Sequence, residues 1–159
     1  MDTSLRIVAT RLSNPDQSGY LDKCRIIDQS NGMELWHTDR FSTNPNPSKP
    51  NTTLRWTACY AQIICGVYPW KCIDSPKHGK CIALCNLGMC ETTLPNMNPD
   101  TLRVGKNEAY DVEIHCGFSQ TWRGSMACQT VYPDDWPAFI SHFTLGQTGL
   151  YELINGITA

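Results

Sequence analysis

At 159 residues the chain has the length of a single domain with a sizeable core, which disfavours two independent domains. Thirteen Lys and Arg against fifteen Asp and Glu leave a net charge of −2, and the charged fraction of 18% lies below the roughly 25% usual for soluble proteins. Neither nucleic acid nor an anionic membrane is therefore expected as a partner. No apolar run approaches the roughly 18 residues of a membrane span. Met1-Asp2-Thr3-Ser4 also lacks the basic segment and apolar core of a secretion signal, so no membrane insertion or signal-directed export is expected.

The stretch from Leu5 to Leu12 is rich in β-branched and apolar residues and predicts an opening strand, closed by Asn14-Pro15 and Ser18-Gly19. Cys24-Arg25-Ile26-Ile27 and Met33-Glu34-Leu35-Trp36 flank Asp28-Gln29-Ser30-Asn31-Gly32, and the Asn-Gly pair supplies the positive φ of a tight hairpin. Pro45, Pro47 and Pro50 among Asn and Ser predict an exposed loop from Thr43 to Thr52. Asn51-Thr52-Thr53 matches a glycosylation sequon, read as accidental without a secretion signal. Leu54, Trp56, Ala58 and Tyr60 alternate with polar positions as in a half-buried strand, and β-type residues continue from Ile63 to Cys72.

Asp74 to Gly79 predicts a turn, Cys81 to Cys85 a short apolar strand, and the two prolines between Leu94 and Thr101 a loop. From Tyr110 to Cys116 the pattern places Tyr110, Val112, Ile114 and Cys116 on one face and Asp111, Glu113 and His115 on the other. His115 thus points away from the apolar face, beside two carboxylates that are either solvated or a partner for its imidazole. Trp136, Phe139, Ile140 and Phe143 fall at helical spacing, with Asp134 or Asp135 to cap, Pro137 in the first turn and Gly146 to end the helix. Leu150 to Ile154 predicts a closing strand. The fold class expected is mainly β, a sandwich or open barrel with one helix towards the C-terminus, as one domain over 1–159.

Nine cysteines stand at 24, 59, 65, 72, 81, 85, 90, 116 and 128, and an odd number cannot pair completely within the chain. Buried thiols, a zinc site and one reactive thiol among inert ones are the competing explanations. Cys72, Cys81, Cys85 and Cys90, with His78 nearby, lack the two separate Cys-x2-4-Cys pairs of a zinc site, so no metal and no other cofactor is expected.

One cysteine stands apart. In Ile114-His115-Cys116-Gly117-Phe118-Ser119-Gln120-Thr121-Trp122-Arg123-Gly124-Ser125-Met126-Ala127-Cys128-Gln129-Thr130 a His leaves a strand end, a glycine-containing loop follows, and Cys128 opens another β-rich run. An imidazole near a thiol is the minimal equipment for nucleophilic catalysis, since His takes the thiol proton and stabilises the thiolate. Small residues around the Cys let backbone N–H groups approach an oxyanion. A surface His and a buried thiol fit the same spacing. Trp122, Arg123 and Tyr132 flank the loop and either line a substrate groove or serve packing.

These residues resemble the catalytic domain of L,D-transpeptidases, whose motif runs from a His-Gly element through a short loop to Ser-His-Gly-Cys. The segment from Trp122 to Phe139 is similar to a phage-encoded, endolysin-like branch of that superfamily, with its Ile-His-x-Gly, Ser-x-Gly-Cys-Gln-Thr and Trp-x-x-Phe elements. Cys65-Gly66-Val67-Tyr68 resembles the Pro-x-Gly-x-Tyr turn of such proteins. The resemblance is specific from Ile114 to Phe143 and weak over the first hundred residues. It implies Cys128 as nucleophile, His115 as general base, Ser125 as a supporting hydroxyl, and Gly117 as the residue that shapes the turn and offers a carbonyl to the imidazole. It also implies bacterial peptidoglycan as partner, with peptidase or transpeptidase chemistry. The chain would be made in the host cytoplasm and would act on the wall or travel in the virion. Met126 and Ala127 stand where the family has His and Gly, and Gln129-Thr130 where it has Arg or Asn. That departure keeps open a non-catalytic wall-binding or virion structural protein that retains the fold.

Overall fold

The computed structural model describes residues 4–14, 17, 19–44, 62–93, 106–120 and 127–157. The strand expected from Leu54, the proline loop beyond Asn44 and the loop at 94–101 lie outside the described residues, as do Trp122, Arg123, Ser125 and Met126. Ten strands are described: β1 Leu5–Arg11, β2 Asp22–Asp28, β3 Met33–Ser42, β4 Gly66–Ser75, β5 Gly79–Leu84, β6 Cys90–Glu91, β7 Glu108–Ala109, β8 Glu113–Cys116, β9 Gln129–Val131 and β10 Thr148–Asn155. The helix α1 covers Trp136–Ile140.

Eight strands form a closed barrel in the order β1-β10-β4-β5-β8-β9-β3-β2, and β6 pairs with β7 apart from it. The mainly β class with one short helix near the C-terminus agrees with the sequence, and the structure adds the closure. Most ladders are antiparallel, but β1 runs parallel to β10 and β8 parallel to β9. Alternation then sorts each strand. Ile7 and Ala9, Cys24 and Ile26, Trp70 and Cys72, Ile82 and Leu84, Ile114, Val131, Tyr151 and Leu153 fill one core. Phe139 and Phe143 join that core, in edge-on contact with Trp36 and Trp70 at 5.3 and 5.2 Å.

The hairpin forms as expected, with Asp28 opposite Met33 and Gly32 at φ 73°. Two other expectations are corrected. The run from Tyr110 to Cys116 is not one strand, because Asp111 takes φ 57° and breaks the alternation, leaving Tyr110 exposed. The helix is shorter than its apolar spacing suggests: a 3-10 turn, Pro133–Asp135, leads into it, and neither aspartate caps it. Asp135 instead accepts hydrogen bonds from Thr38 Oγ1 at 2.7 Å and from the Arg40 guanidinium at 2.6 and 3.1 Å, which fastens the helix start to β3. Gly146, at φ 88°, serves the turn into β10 and does not end the helix.

A buried polar knot ties the ends of β1, β2 and β3. The Asp22 carboxylate, fully buried, accepts from Leu12 N, Ser13 N, Ser13 Oγ, Thr43 N and Thr43 Oγ1 at 2.7 to 3.0 Å. Arg11, also buried, donates to Thr43 Oγ1, Thr43 O and Ile63 O. Such a carboxylate is satisfied only in the folded chain, and its loss leaves several buried donors unpaired. Asp22→Ala is expected to cost about 3–5 kcal/mol. Urea unfolding should show a lower midpoint at unchanged slope; an unshifted midpoint would count against the knot.

Candidate active site

Of the two residues that the resemblance pairs, His115 lies in β8 and Cys128 immediately precedes the neighbouring β9. Parallel β8 and β9 set His115 opposite Thr130, with Ile114 opposite Gln129 and Cys116 opposite Val131. Ile114 and Val131 face the core, and Gln129 accepts a hydrogen bond from the buried Tyr151 hydroxyl at 2.8 Å. Period-2 alternation therefore sends Glu113, His115 and Thr130 to the outer face together, and Cys128, just before β9, sets its sulfur against the backbone of β8 at Glu113. Cys128 lies beside Glu113, whose amide donates to its sulfur.

This outer face is buried. His115 is 1% exposed, Thr130 and Cys81 are fully buried and Glu113 nearly so, while Cys128 is partly exposed. A surface histidine is thereby excluded. The His115 ring is held on two sides. Its Nδ1–H donates to the Cys116 carbonyl at 2.7 Å, which leaves Nε2 as the lone-pair nitrogen. His78, from the turn between β4 and β5, stacks on the ring at 3.9 Å between centroids and 5° between planes. Nε2 is buried without a hydrogen-bond partner, as is the neighbouring Thr130 Oγ1.

Burial pushes the His115 imidazole down to about 4, an effect that the Cys116 carbonyl opposes and His78 and Lys77 reinforce. Burial likewise pushes the Cys128 thiol up to about 11, against the lowering influence of the Glu113 amide, which donates to Cys128 Sγ at 3.3 Å. At neutral pH the pair is therefore a thiol and a neutral imidazole, not a preformed thiolate and imidazolium. Glu113 is neither solvated nor paired with the imidazole; its Oε2 accepts from Cys81 Sγ at 3.2 Å. Cys81, a bland buried thiol by sequence, thus belongs to the same face.

Gly117 acts differently from the expectation. The carbonyl that orients the imidazole is that of Cys116, one residue earlier, and Gly117 does not adopt positive φ. Its missing side chain makes room for Tyr20: a Cβ would lie 1.8 Å from the Tyr20 hydroxyl, which donates to Ser119 O at 2.7 Å. Ala127 needs no positive φ either, so the exchange of glycine for alanine there meets no conformational penalty. Tyr132 lies past the end of β9, its ring edge-on to Tyr20 at 5.3 Å and covered by the Arg40 guanidinium at 4.1 Å. These contacts are packing.

His78 and Tyr20 are the neighbours that sequence reasoning missed as parts of the site. In the sequence His78 stands beside a cysteine cluster, and nothing in spacing connects either residue to His115. Cys72 and Cys81 lie on opposite faces of their strands, and no group of three or more metal-binding side chains gathers among the described residues. No helix among the described residues is long and apolar enough to cross a membrane. No protein-family model, curated protein or solved structure matches the chain.

The buried imidazole has a thermodynamic signature. An unfolded His with the ordinary value of 6.5 binds protons that the folded His115 refuses until about pH 4. Its contribution is thus complete above about 6.5 and lost as pH falls through that window, by about 3 kcal/mol. Chemical unfolding measured across the window should show a steeper decline in wild type than in His115→Gln; parallel curves would contradict the assignment.

Proposed function

We propose that the chain is a cysteine-dependent enzyme acting on the peptide part of bacterial peptidoglycan, with Cys128 as nucleophile and His115 as base. The observation that carries the reading is the buried, unpartnered Nε2 of His115, its tautomer set by the Cys116 carbonyl, on the strand against whose Glu113 amide the Cys128 sulfur packs. A lone pair kept dry and unused on a buried imidazole is poorly explained by packing alone. The L,D-transpeptidase resemblance around His115, Gly117 and Cys128 supplies the substrate class and the phage endolysin-like setting.

In this reading the Cys128 sulfur turns from the Glu113 amide towards Nε2 when a substrate enters, since catalytic hydrogen bonds often tighten only in the complex. His115 takes the thiol proton as sulfur attacks the carbonyl carbon. The imidazolium then returns that proton to the departing amine, leaving a thioester on Cys128. Water captures the thioester in a peptidase, and a second amine captures it in a transpeptidase; a lytic role favours water. Ser125 belongs to this reading through the sequence resemblance, and Trp122 and Arg123 through their place in the sequence beside the loop.

One observation favours a non-catalytic chain that keeps the fold: the Cys128 sulfur accepts from the Glu113 amide, and its thiol is held well above the ordinary range. Muropeptide analysis of wall sacculi decides between the readings. Wild type and Cys24→Ala, whose thiol faces the barrel interior, are expected to release the same products, while Cys128→Ala falls by about a thousandfold or more. Activity should also be flat between about pH 5 and 9, because His115 stays neutral and Cys128 protonated throughout. Products that persist in Cys128→Ala, or that wild type never yields, would end the proposal.

A further inference from the structure

Beyond the end of β5, Cys85 and Cys90 bring two sulfurs together. Cys85 follows β5 directly and begins a tight turn whose residues Cys85, Asn86 and Leu87 all have positive φ, at 53°, 50° and 64°. Three consecutive non-glycine residues in the left-handed region are unfavourable by themselves. The turn is closed by the Gly88 amide, which donates to the Cys85 carbonyl at 2.9 Å. It returns the chain so that Cys90 Sγ lies 3.6 Å from Cys85 Sγ.

The two thiols differ in access. Cys90 is 1% exposed and packed in the core, whereas Cys85 is partly exposed and lines an open cleft with Trp70, Lys71 and Gly149. No disulfide is present at either residue. A sulfur pair already in contact needs only small side-chain rotations to reach the length of a covalent bond.

We propose that Cys85 and Cys90 are an intrachain disulfide site, oxidised by thiol–disulfide exchange with a small or protein-borne disulfide, and that the bond locks the left-handed turn after β5. The Cys85 thiolate, reached from the cleft, attacks one sulfur of the oxidant and displaces the other as a thiolate. The Cys90 thiolate then attacks the Cys85 sulfur of the mixed disulfide and releases the second half of the oxidant. Two protons pass from the protein thiols to the two released thiols, and two electrons pass from the protein to the oxidant. The inference is independent of Cys128 acting as a nucleophile.

The bond would close a short loop in the unfolded chain and hold a turn that is otherwise costly. The folded full chain, treated with oxidised glutathione, alkylated and digested with chymotrypsin without reduction, should yield the Cys85 and Cys90 peptides joined, since Leu87 separates them. Dithiothreitol should part them. The oxidised form is expected to melt about 4–8 °C above the reduced form, a difference absent in Cys85→Ser. Cys85 is partly exposed, so that variant tests the bond without opening the core as Cys90→Ser does. Alkylation of both residues after oxidation, or a link from Cys128 to Cys81 or Cys90 in its place, overturns the site. An unchanged melting temperature in the bonded form overturns the locking of the turn.

Discussion

The parallel pairing of β8 with β9 is the constraint on which the rest of the candidate site depends. Two parallel neighbours cannot be joined by a tight turn, so the chain must leave β8 at Cys116, cross over, and re-enter beside it at Gln129. Register decides what that crossover delivers. With His115 opposite Thr130, Cys128 arrives beside Glu113 while Gln129 and Val131 turn inward. A slip of one residue would turn Gln129 and Val131 outward and Thr130 into the barrel. The core therefore sets the site: Val131 and Ile114 must be buried, and the Tyr151 hydroxyl needs the Gln129 side-chain amide oxygen.

Burial explains the unusual electrostatics of the outer face. A charged imidazole would lose its hydration there without gaining a carboxylate, because the Glu113 carboxylate is taken up by the Cys81 thiol. The neutral ring is the stable form, and the Cys116 carbonyl selects which nitrogen keeps its proton. Stacking on His78 adds a flat, uncharged contact that suits a neutral ring better than a cation. Tyr20 holds the chain beyond Gly117, and Arg40 joins Tyr132 to Asp135, so the C-terminal ends of both strands are braced from β3 and the segment before β2.

Much of the frame was legible from local pattern. Asn31-Gly32 marked the β2–β3 hairpin because only a few residues tolerate positive φ at the turn. Alternation placed His115 opposite Ile114 and away from the core, as observed. Local pattern failed where a side chain had a distant partner. Asp135 looked like a helix cap because caps are short-range, yet Arg40 and Thr38 claim it across nearly a hundred positions. Asp111 looked like a strand residue until its positive φ broke the alternation and turned Tyr110 to solvent. Gly117 looked like a turn former, whereas its role is to leave space for a tyrosine almost a hundred residues earlier.

By itself the amino-acid order determined the mainly β class, the hairpin and the closing strand. Each depends on the period of two, on backbone preference or on spacing along one segment. The tertiary structure alone decided that the sheet closes into a barrel, that β8 and β9 run parallel, and that His115 is buried against His78 with an idle nitrogen. Those outcomes arise from contacts between strands remote in sequence, where side-chain volume and hydrogen-bond satisfaction across the barrel, not local propensity, select one register from several.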